Sequence, residues 1–599
     1  MLLGQTKVFQ DIYSTGENLV YYSSRMNDSQ KRIVAHALHG ENAVTLVQGP
    51  PGTGKTTVIV ELVRQFLPND GKSYSNKILL CAQTNAAVDN VCEGLLKMRV
   101  ADILRIVPAV REDDYPPEHA IGSVCLHNLV NPLLSECTRC VLRVLKSGTK
   151  ADKKALSKKE IKSALAEKSK ISSAFIKGSK ILITTAIGCK SPIIVNNIVN
   201  IPVVIMDEAT QCNVPTSLVP FSMPGLKKIV IVGDDKQLSG FSEIPYLEKS
   251  LFVRLQETKM VVPLMLDTQY RMHPDISSFS RNKFYNGELL DGIGAKHRTL
   301  DIPGLPKPLT FITYGHKYQE SIILQPSPVT GIVAPSYRNR SEATIVVETI
   351  KKLISKGQFT QDRIAIITPY APQRDLLALL IMKDKVLNPL GLKIKEEGMN
   401  TGNDENDLES VSLQRKSSTG KPPTVMTVNG ISISSVDAYQ GREQDVVIFS
   451  CVRSNRAGRI GFLSDARRLN VALTRARYGL IMVGNRFCLR SGDPLWEDLM
   501  THFDNNGAII TDVNRYLGLD RRGRKIVPRD GGNGFTYASN DIIGDAGETV
   551  ELRGEEDGED GYFVELSDDE GASQSDRGSR IVDHVADGIA EMQLMARDI

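Results

Sequence analysis

The stretch AVTLVQGPPGTGKTTVIVELVRQFL, Ala43 to Leu67, decides the fold. It opens with an apolar run of strand length, passes through the glycine-rich turn GPPGTGKT (Gly49 to Thr56) and continues as a run compatible with helix. The glycines allow backbone N–H groups to close around phosphate oxygens, and the helix N-terminus adds its dipole. In such a P-loop Lys55 reaches the β and γ phosphates and the Thr56 oxygen can hold Mg²⁺. The nucleotide-binding set is therefore Gly49, Pro50, Pro51, Gly52, Thr53, Gly54, Lys55, Thr56 and Thr57. A chance glycine turn would not supply strand, Lys-Thr pair and helix together.

Working outward, VVIMDEATQ delivers Asp207 and Glu208 at the carboxyl end of another apolar strand. Asp207 suits a Mg²⁺ shell, and Glu208 suits orienting or deprotonating an attacking water. Further strands are predicted at Lys77 to Ala82, Lys180 to Thr185, Pro202 to Glu208 and Lys227 to Asp234. A second series includes Arg363 to Pro369, Asp445 to Val452 and Gly479 to Asn485. Apolar strands alternating with helices imply parallel sheets, so the expected fold class is α/β, with two tandem parallel-sheet P-loop NTPase domains. The expected organisation is a lead over residues 1–26, a first domain over 27–258, a second over 259–515 and an acidic, disordered tail over 516–599.

At 599 residues with 41% hydrophobic and 24% charged residues, the chain is neither a small module nor disordered throughout. Its longest apolar run, Leu376 to Met382, is far below the ~18 residues of a membrane span, so no membrane association is expected. The start lacks the pattern of a secretory signal, which favours an intracellular, cytoplasmic or nuclear, setting. Nine cysteines are scattered, and Cys137 and Cys140 alone form a CxxC, without a second pair to complete a zinc site.

The net charge of +3 hides an asymmetry. Residues 541–599 hold 18 acidic and 4 basic residues, a net of −14, which leaves 69 basic and 52 acidic residues, +17, on residues 1–540. That division favours a polyanionic partner for the body and a solvated tail open to protein partners. Residues 146–180 alone carry eleven Lys against three acidic residues. They read as part of a Lys-rich helical insertion, about 112–179, in the first domain; a solvated surface helix is the plainer alternative. Residues 395–425 are polar and rich in Gly, Ser and Asn, so a flexible loop is expected at about 386–428.

A P-loop is shared by many enzyme classes, and the remaining motifs narrow the choice. In order they are Gln30, CAQTNAAVD (Cys81 to Asp89), GDDKQL (Gly233 to Leu238), QYRMHP (Gln269 to Pro274), TPYAPQR (Thr368 to Arg374), VDAYQGRE (Val436 to Glu443) and RRLNVALTRARYGLIMVGN (Arg467 to Asn485). This series resembles superfamily 1B helicases of the up-frameshift and senataxin group over about residues 26–515, the two domains then being RecA-like. The resemblance implies ATP as the nucleotide, with Gln30 reading adenine and Tyr270 stacking on it. It also implies Gln237 as the sensor of γ-phosphate or attacking water, Glu443 on the ribose or phosphate network, and Arg271 and Arg475 as arginine fingers. The implied catalytic set is Lys55, Asp207, Glu208, Gln237, Arg271 and Arg475, with Thr56 and Asp207 on Mg²⁺.

For nucleic acid the resemblance implies Thr84, Asn85, Thr185, Tyr370 and Ser435, whose hydroxyls, amide and ring suit backbone contacts and base stacking. The leading expectation is a monomeric ATP-dependent translocase on single-stranded RNA, running 5′ to 3′. A DNA helicase of the same superfamily and an ATP-switched RNA clamp with little unwinding stay open. The sequence departs from the family pattern in showing no zinc module or β-barrel ahead of Gln30. It also has Gln83 and Gly240 where the family has proline, changes expected to alter coupling rather than abolish hydrolysis.

Overall fold

The computed structural model describes residues 19–67, 77–198, 200–240, 242, 244–299, 304–315, 319–326, 333–355, 359–396, 425–518, 524–528 and 535–541. Two sheets organise it. The first has seven parallel strands in the order Ile103–Arg105, Ile181–Thr185, Ile78–Ala82, Val203–Asp207, Lys228–Gly233, Val44–Gln48 and Leu264–Met265. The second has eight, in the order Lys395–Glu396, Met426–Val428, Ile431–Ser435, Ile364–Thr368, Gln444–Ser450, Ala476–Gly484, Leu309–Thr313 and Ile509–Ile510. Its first two pairings are antiparallel and the rest parallel.

Successive side chains of a strand point to opposite faces. Val47 therefore enters one core and Leu46 the other, while Ile367 and Ile366 divide in the same way in the second sheet. Burial on both faces explains why these strands are continuous apolar runs.

The expected boundaries shift in three places. Leu264–Met265 pairs with Val47 and Gln48, so the first sheet extends past residue 258. Within the expected loop at 386–428, Lys395 and Glu396 pair with Thr427 and Met426; the residues between 396 and 425 lie outside those described. In the tail, Arg524–Pro528 and Phe535–Asp541 pair antiparallel, and residues 542–599 lie outside those described.

The Lys-rich insertion leaves the sheet after Ile103–Arg105 and returns at Ile181–Thr185. Its principal helices are Glu136–Ser147 and Lys158–Gly178, the second opened by a capping box between Ser157 and Glu160. Glu167 joins them by accepting from the Ser135 amide at 2.7 Å, the Ser135 hydroxyl at 2.8 Å and the Thr138 hydroxyl at 2.6 Å. Cys137 and Cys140 are both exposed on the first of these helices. No helix among the described residues is long and apolar enough to cross a membrane.

A buried carboxyl holds the carboxyl end of strand Gln444–Ser450. Glu342, fully buried, accepts from Ser450 Oγ at 2.5 Å, Val452 N at 2.8 Å and Tyr314 OH at 2.6 Å. Val452 is β-branched yet has φ +71°, a strained conformation that this bond to Glu342 helps maintain. Burial raises the Glu342 carboxyl from its ordinary value of 4.5 to about 7. The folded state therefore favours the protonated form, and stability falls as pH climbs from the unfolded value through about 7. The difference in unfolding free energy between wild type and Glu342→Gln should change by about 2 to 3 kcal/mol across that window, at ~1.4 kcal/mol per pH unit. Denaturant melts at pH values on either side of it test this; a pH-independent difference would show that Glu342 does not titrate there.

Candidate functional site

The carboxyl ends of the first sheet face the amino ends of two strands in the second, across a cavity of about 330 Å³. From the first domain come the P-loop, Asp207, Glu208 and Gln237; from the second come Arg271, Glu443, Arg475 and Arg477. Strand Val44–Gln48 ends directly in the loop, and helix Lys55–Phe66 begins at Lys55. Gly52 has φ +75°, and a Cβ there would lie 2.5 Å from Cβ of Arg271. Glycine at 52 thus serves both the backbone turn and the close approach of the second domain. Tyr270 N reinforces that approach by donating to Gly52 O at 2.8 Å.

Lys55 Nζ donates to Gly49 O at 2.9 Å and stands 3.9 Å from Glu208 Oε1. Burial, then the adjoining Glu208 carboxylate, raise Asp207 above the ordinary carboxylate range, while Lys55 opposes the shift. Glu208 is held in the left-handed region, φ +49° and ψ +40°, an uncommon state for a side chain of this size. The donor set of one buried carboxylate, Asp207, and one partly exposed hydroxyl, Thr56, fits Mg²⁺ completed by phosphate and water oxygens. Thr57 is exposed at the start of the same helix.

A chain of hydrogen bonds joins the domains. Gln237 Nε2 donates to Asp234 Oδ2 at 2.7 Å, and Gln237 Oε1 accepts from Arg475 Nη2 at 3.0 Å. Tyr285 OH donates to the same Asp234 oxygen at 2.7 Å and accepts from Asn470 Nδ2 at 3.0 Å. Arg475 is buried; its Nε donates to Val471 O at 2.8 Å and its Nη1 to Arg442 O at 3.2 Å. Burial and the nearby Arg271 lower its hold on the proton, and a guanidinium nevertheless stays charged at neutral pH.

The geometry gives three of the expected nucleotide-contacting residues definite partners within the protein. Glu443 ion-pairs with Arg271 and accepts from Arg477 Nη2 at 2.5 Å. Burial acts upward on its carboxyl, but the Arg271 charge and Arg477 outweigh it and bring Glu443 down to about 2. With both oxygens engaged by arginines, Glu443 aligns them at the rim of the cavity. Gln30 is buried, its Nε2 donating to Thr53 O at 3.0 Å and its Oε1 accepting from Asn27 N at 3.1 Å, so here it braces the P-loop from beneath. Tyr270 is 37% exposed and its hydroxyl accepts from Asn27 Nδ2 at 3.0 Å, which leaves ring surface at the cavity.

The expected nucleic-acid residues all lie at carboxyl ends of strands. Thr84 is exposed and caps helix Asn85–Lys97, accepting from Ala87 N at 3.2 Å. Asn85 Oδ1 accepts from the buried Arg105 at 2.8 Å, so its amide orientation is fixed with Nδ2 left to other acceptors. Thr185 Oγ accepts from Gly188 N and Ser435 Oγ from Ala438 N, at 3.2 and 3.3 Å. Tyr370 requires correction: it is 2% exposed, with Tyr337 and Phe462 against its ring and its hydroxyl donating to Ile460 O at 3.2 Å. No face of it is free to stack on a base.

Gln440, Arg477, Tyr285 and Asn470 were not expected in the site. Gln440 Nε2 donates to Glu208 Oε2 at 3.4 Å; it lies within VDAYQGRE, so that motif was the available sign. The two departures from proline have local consequences. Gln83 Oε1 accepts from Cys212 Sγ at 3.2 Å. Gly240 N donates to Thr210 O at 3.3 Å, a bond that proline could not make, and a Cβ there would lie 2.3 Å from Gln211 O.

Two protein-family profiles, each described as AAA domain, match residues 25–169 with 142–241 and residues 247–487. A "Putative ATP-dependent RNA helicase ECM32" of Saccharomyces cerevisiae is 40% identical over 519 residues, covering 86% of this chain and 44% of that protein. "ATP-dependent helicase NAM7" of the same yeast is 30% identical over 496 residues, 81% of this chain and 44% of that one. A "Regulator of nonsense transcripts 1 homolog" of Drosophila melanogaster is 31% identical over 495 residues, 81% of this chain and 36% of that one. The chain spans less than half the length of each of these relatives.

Proposed function

From the premise that the chain belongs to the up-frameshift group of superfamily 1 helicases, we propose that it hydrolyses ATP between its two domains to move along single-stranded RNA. The finer reading is a 5′ to 3′ translocase that remodels RNA duplexes or RNA–protein complexes, with mRNA decay as its setting. The observation that supports hydrolysis between the domains is the hydrogen bond from Arg475 of the second domain to Gln237 of the first, beside the P-loop.

In this reading the P-loop amides and Lys55 hold the triphosphate, and Tyr270 offers its ring to the adenine. Thr56 and Asp207 would hold Mg²⁺, which when bound neutralises charge on the phosphate oxygens. Glu208 orients the attacking water and accepts its proton, while Gln237 contacts the γ-phosphate or that water. Arg475 and Arg271 meet the charge that develops on the transferring phosphoryl group, Arg271 being aligned by Glu443. Because these groups come from both domains, hydrolysis changes what holds the domains together, and their relative motion moves the strand.

ATPase assays with and without poly-U RNA and single-stranded DNA, followed by strand displacement, test the proposal. Stimulation by poly-U with displacement of a duplex is expected. Stimulation by DNA alone would favour the DNA reading, stimulation without displacement the clamp, and no stimulation by either would overturn the motor. Glu208→Gln should lower kcat by about 10² to 10⁴ while ATP still binds, because the carboxamide keeps the shape and loses the base. Loss of ATP binding in that variant would make Glu208 structural.

A further inference from the structure

Burial of Tyr370 leaves the second domain's expected nucleic-acid edge without the stacking face assigned to it. An exposed aromatic stands next to it. Strands Ile431–Ser435, Ile364–Thr368 and Gln444–Ser450 are parallel neighbours, so Ser435, Tyr370 and the segment after Ser450 emerge at one edge of the sheet. That segment leads to a short turn, Gly461–Ser464, carrying Phe462. Phe462 is 56% exposed, and its ring centroid lies 5.8 Å from that of Tyr370, whose burial it helps complete.

The turn is firmly held. Trp496, fully buried, donates its Nε1 proton to Leu463 O at 2.7 Å, and Leu463 itself is buried. A half-exposed phenyl ring on such a turn is displayed rather than loosely packed. Around it the sequence places Arg456, Arg459 and Arg467, all exposed and without an ion pair among the described residues. Arg468, by contrast, lies over the Phe462 ring, 5.3 Å from its centroid, and is paired to Asp437 and Asp465, so a base would share the ring with this guanidinium and use the surface that Phe462 leaves exposed. An exposed aromatic ring flanked in the chain by exposed arginines suits a base with its neighbouring phosphates. It suits an apolar protein helix less well, because three uncompensated cations would lose water.

We propose that Phe462 is a base-stacking platform of the second domain, taking one nucleobase of the single strand while the neighbouring arginines meet its phosphates. The proposal rests on the reading of this chain as a nucleic-acid motor and names where one base is held. From Phe462 the chain enters helix Ala466–Leu473 and then reaches Arg475, so strand contact and arginine finger sit at opposite ends of one short helix.

The test uses the full chain, fluorescein-labelled oligouridylate and an abasic oligomer of equal length and phosphate count. Phe462→Ala should weaken binding of oligouridylate about five- to a hundred-fold, and Phe462→Tyr should restore most of it. The penalty should vanish on the abasic strand, and the salt dependence of binding should keep its slope because no cation is lost. In the unaltered protein, a 2-aminopurine in the strand should be quenched on binding, and less so in Phe462→Ala. Equal affinity of wild type and Phe462→Ala, or an equal penalty on the abasic strand, would overturn the platform and leave the motor reading intact. No binding of either oligomer by wild type would overturn both.

Discussion

Replacing Arg475 with alanine is expected to lower kcat for ATP by about 10³ to 10⁵, with a much smaller change in nucleotide affinity. The guanidinium is positioned before any charge develops, held by Val471 O, Arg442 O and Gln237 Oε1 at 2.8, 3.2 and 3.0 Å. The two backbone carbonyls aim the guanidinium at the site in advance, so that only its bond to Gln237 Oε1 has to yield for it to act on the transition state. Lysine should not substitute, because an ammonium cannot serve three acceptors along the planar fork that guanidinium presents. Single-turnover kinetics with equilibrium nucleotide binding separate the two quantities. A kcat within a few-fold of wild type would remove Arg475 from catalysis, and a thermal melt distinguishes loss of chemistry from loss of fold.

Lys55→Ala should abolish measurable turnover, a loss on the order of 10³ or more, comparable to removing a principal donor from the phosphate transition state. The fold should hardly notice, because the hydrogen bond of the Lys55 ammonium goes to Gly49 O on its own loop and its other neighbour is Glu208 at 3.9 Å. Unlike the arginine variant, this one should also bind ATP more weakly, since the lysine meets phosphates already charged in the ground state. Turnover near wild type would dismiss the P-loop as the site of hydrolysis.

What the sequence made legible follows from its physics. Strands such as Val44–Gln48 and Val203–Asp207 are buried on both faces, and their unbroken apolar runs show this directly. The P-loop was equally plain, because its chemistry requires glycine, lysine and threonine at fixed spacing. Partner choice was not legible. Nothing in the order of residues says that Glu443 bonds Arg271 and Arg477, or that Gln30 bonds Thr53, since these contacts join segments far apart in the chain. Tyr370 misled for a related reason: its residue type fits stacking, but Phe462, ninety-two positions later, covers it. Of the Asp234–Tyr285–Asn470 chain, Asp234 and Asn470 lie within motifs, but Tyr285 lies outside them, and nothing local to any of the three residues signals that they meet.

The contacts already made by Lys55 and Arg475 bear on how fast the enzyme can reset. Gly49 O and Gln237 Oε1 are acceptors of the same kind as phosphate oxygens, and they occupy the very donors that phosphate would use. Nucleotide capture is then an exchange of acceptors, with part of each new hydrogen bond offset by one broken. The same substitution runs in reverse after hydrolysis. As inorganic phosphate loosens, the resident acceptors recapture the donors and lower the barrier to its escape. Such built-in rivals would weaken the hold on spent nucleotide, which is what the motor proposed above requires at every step.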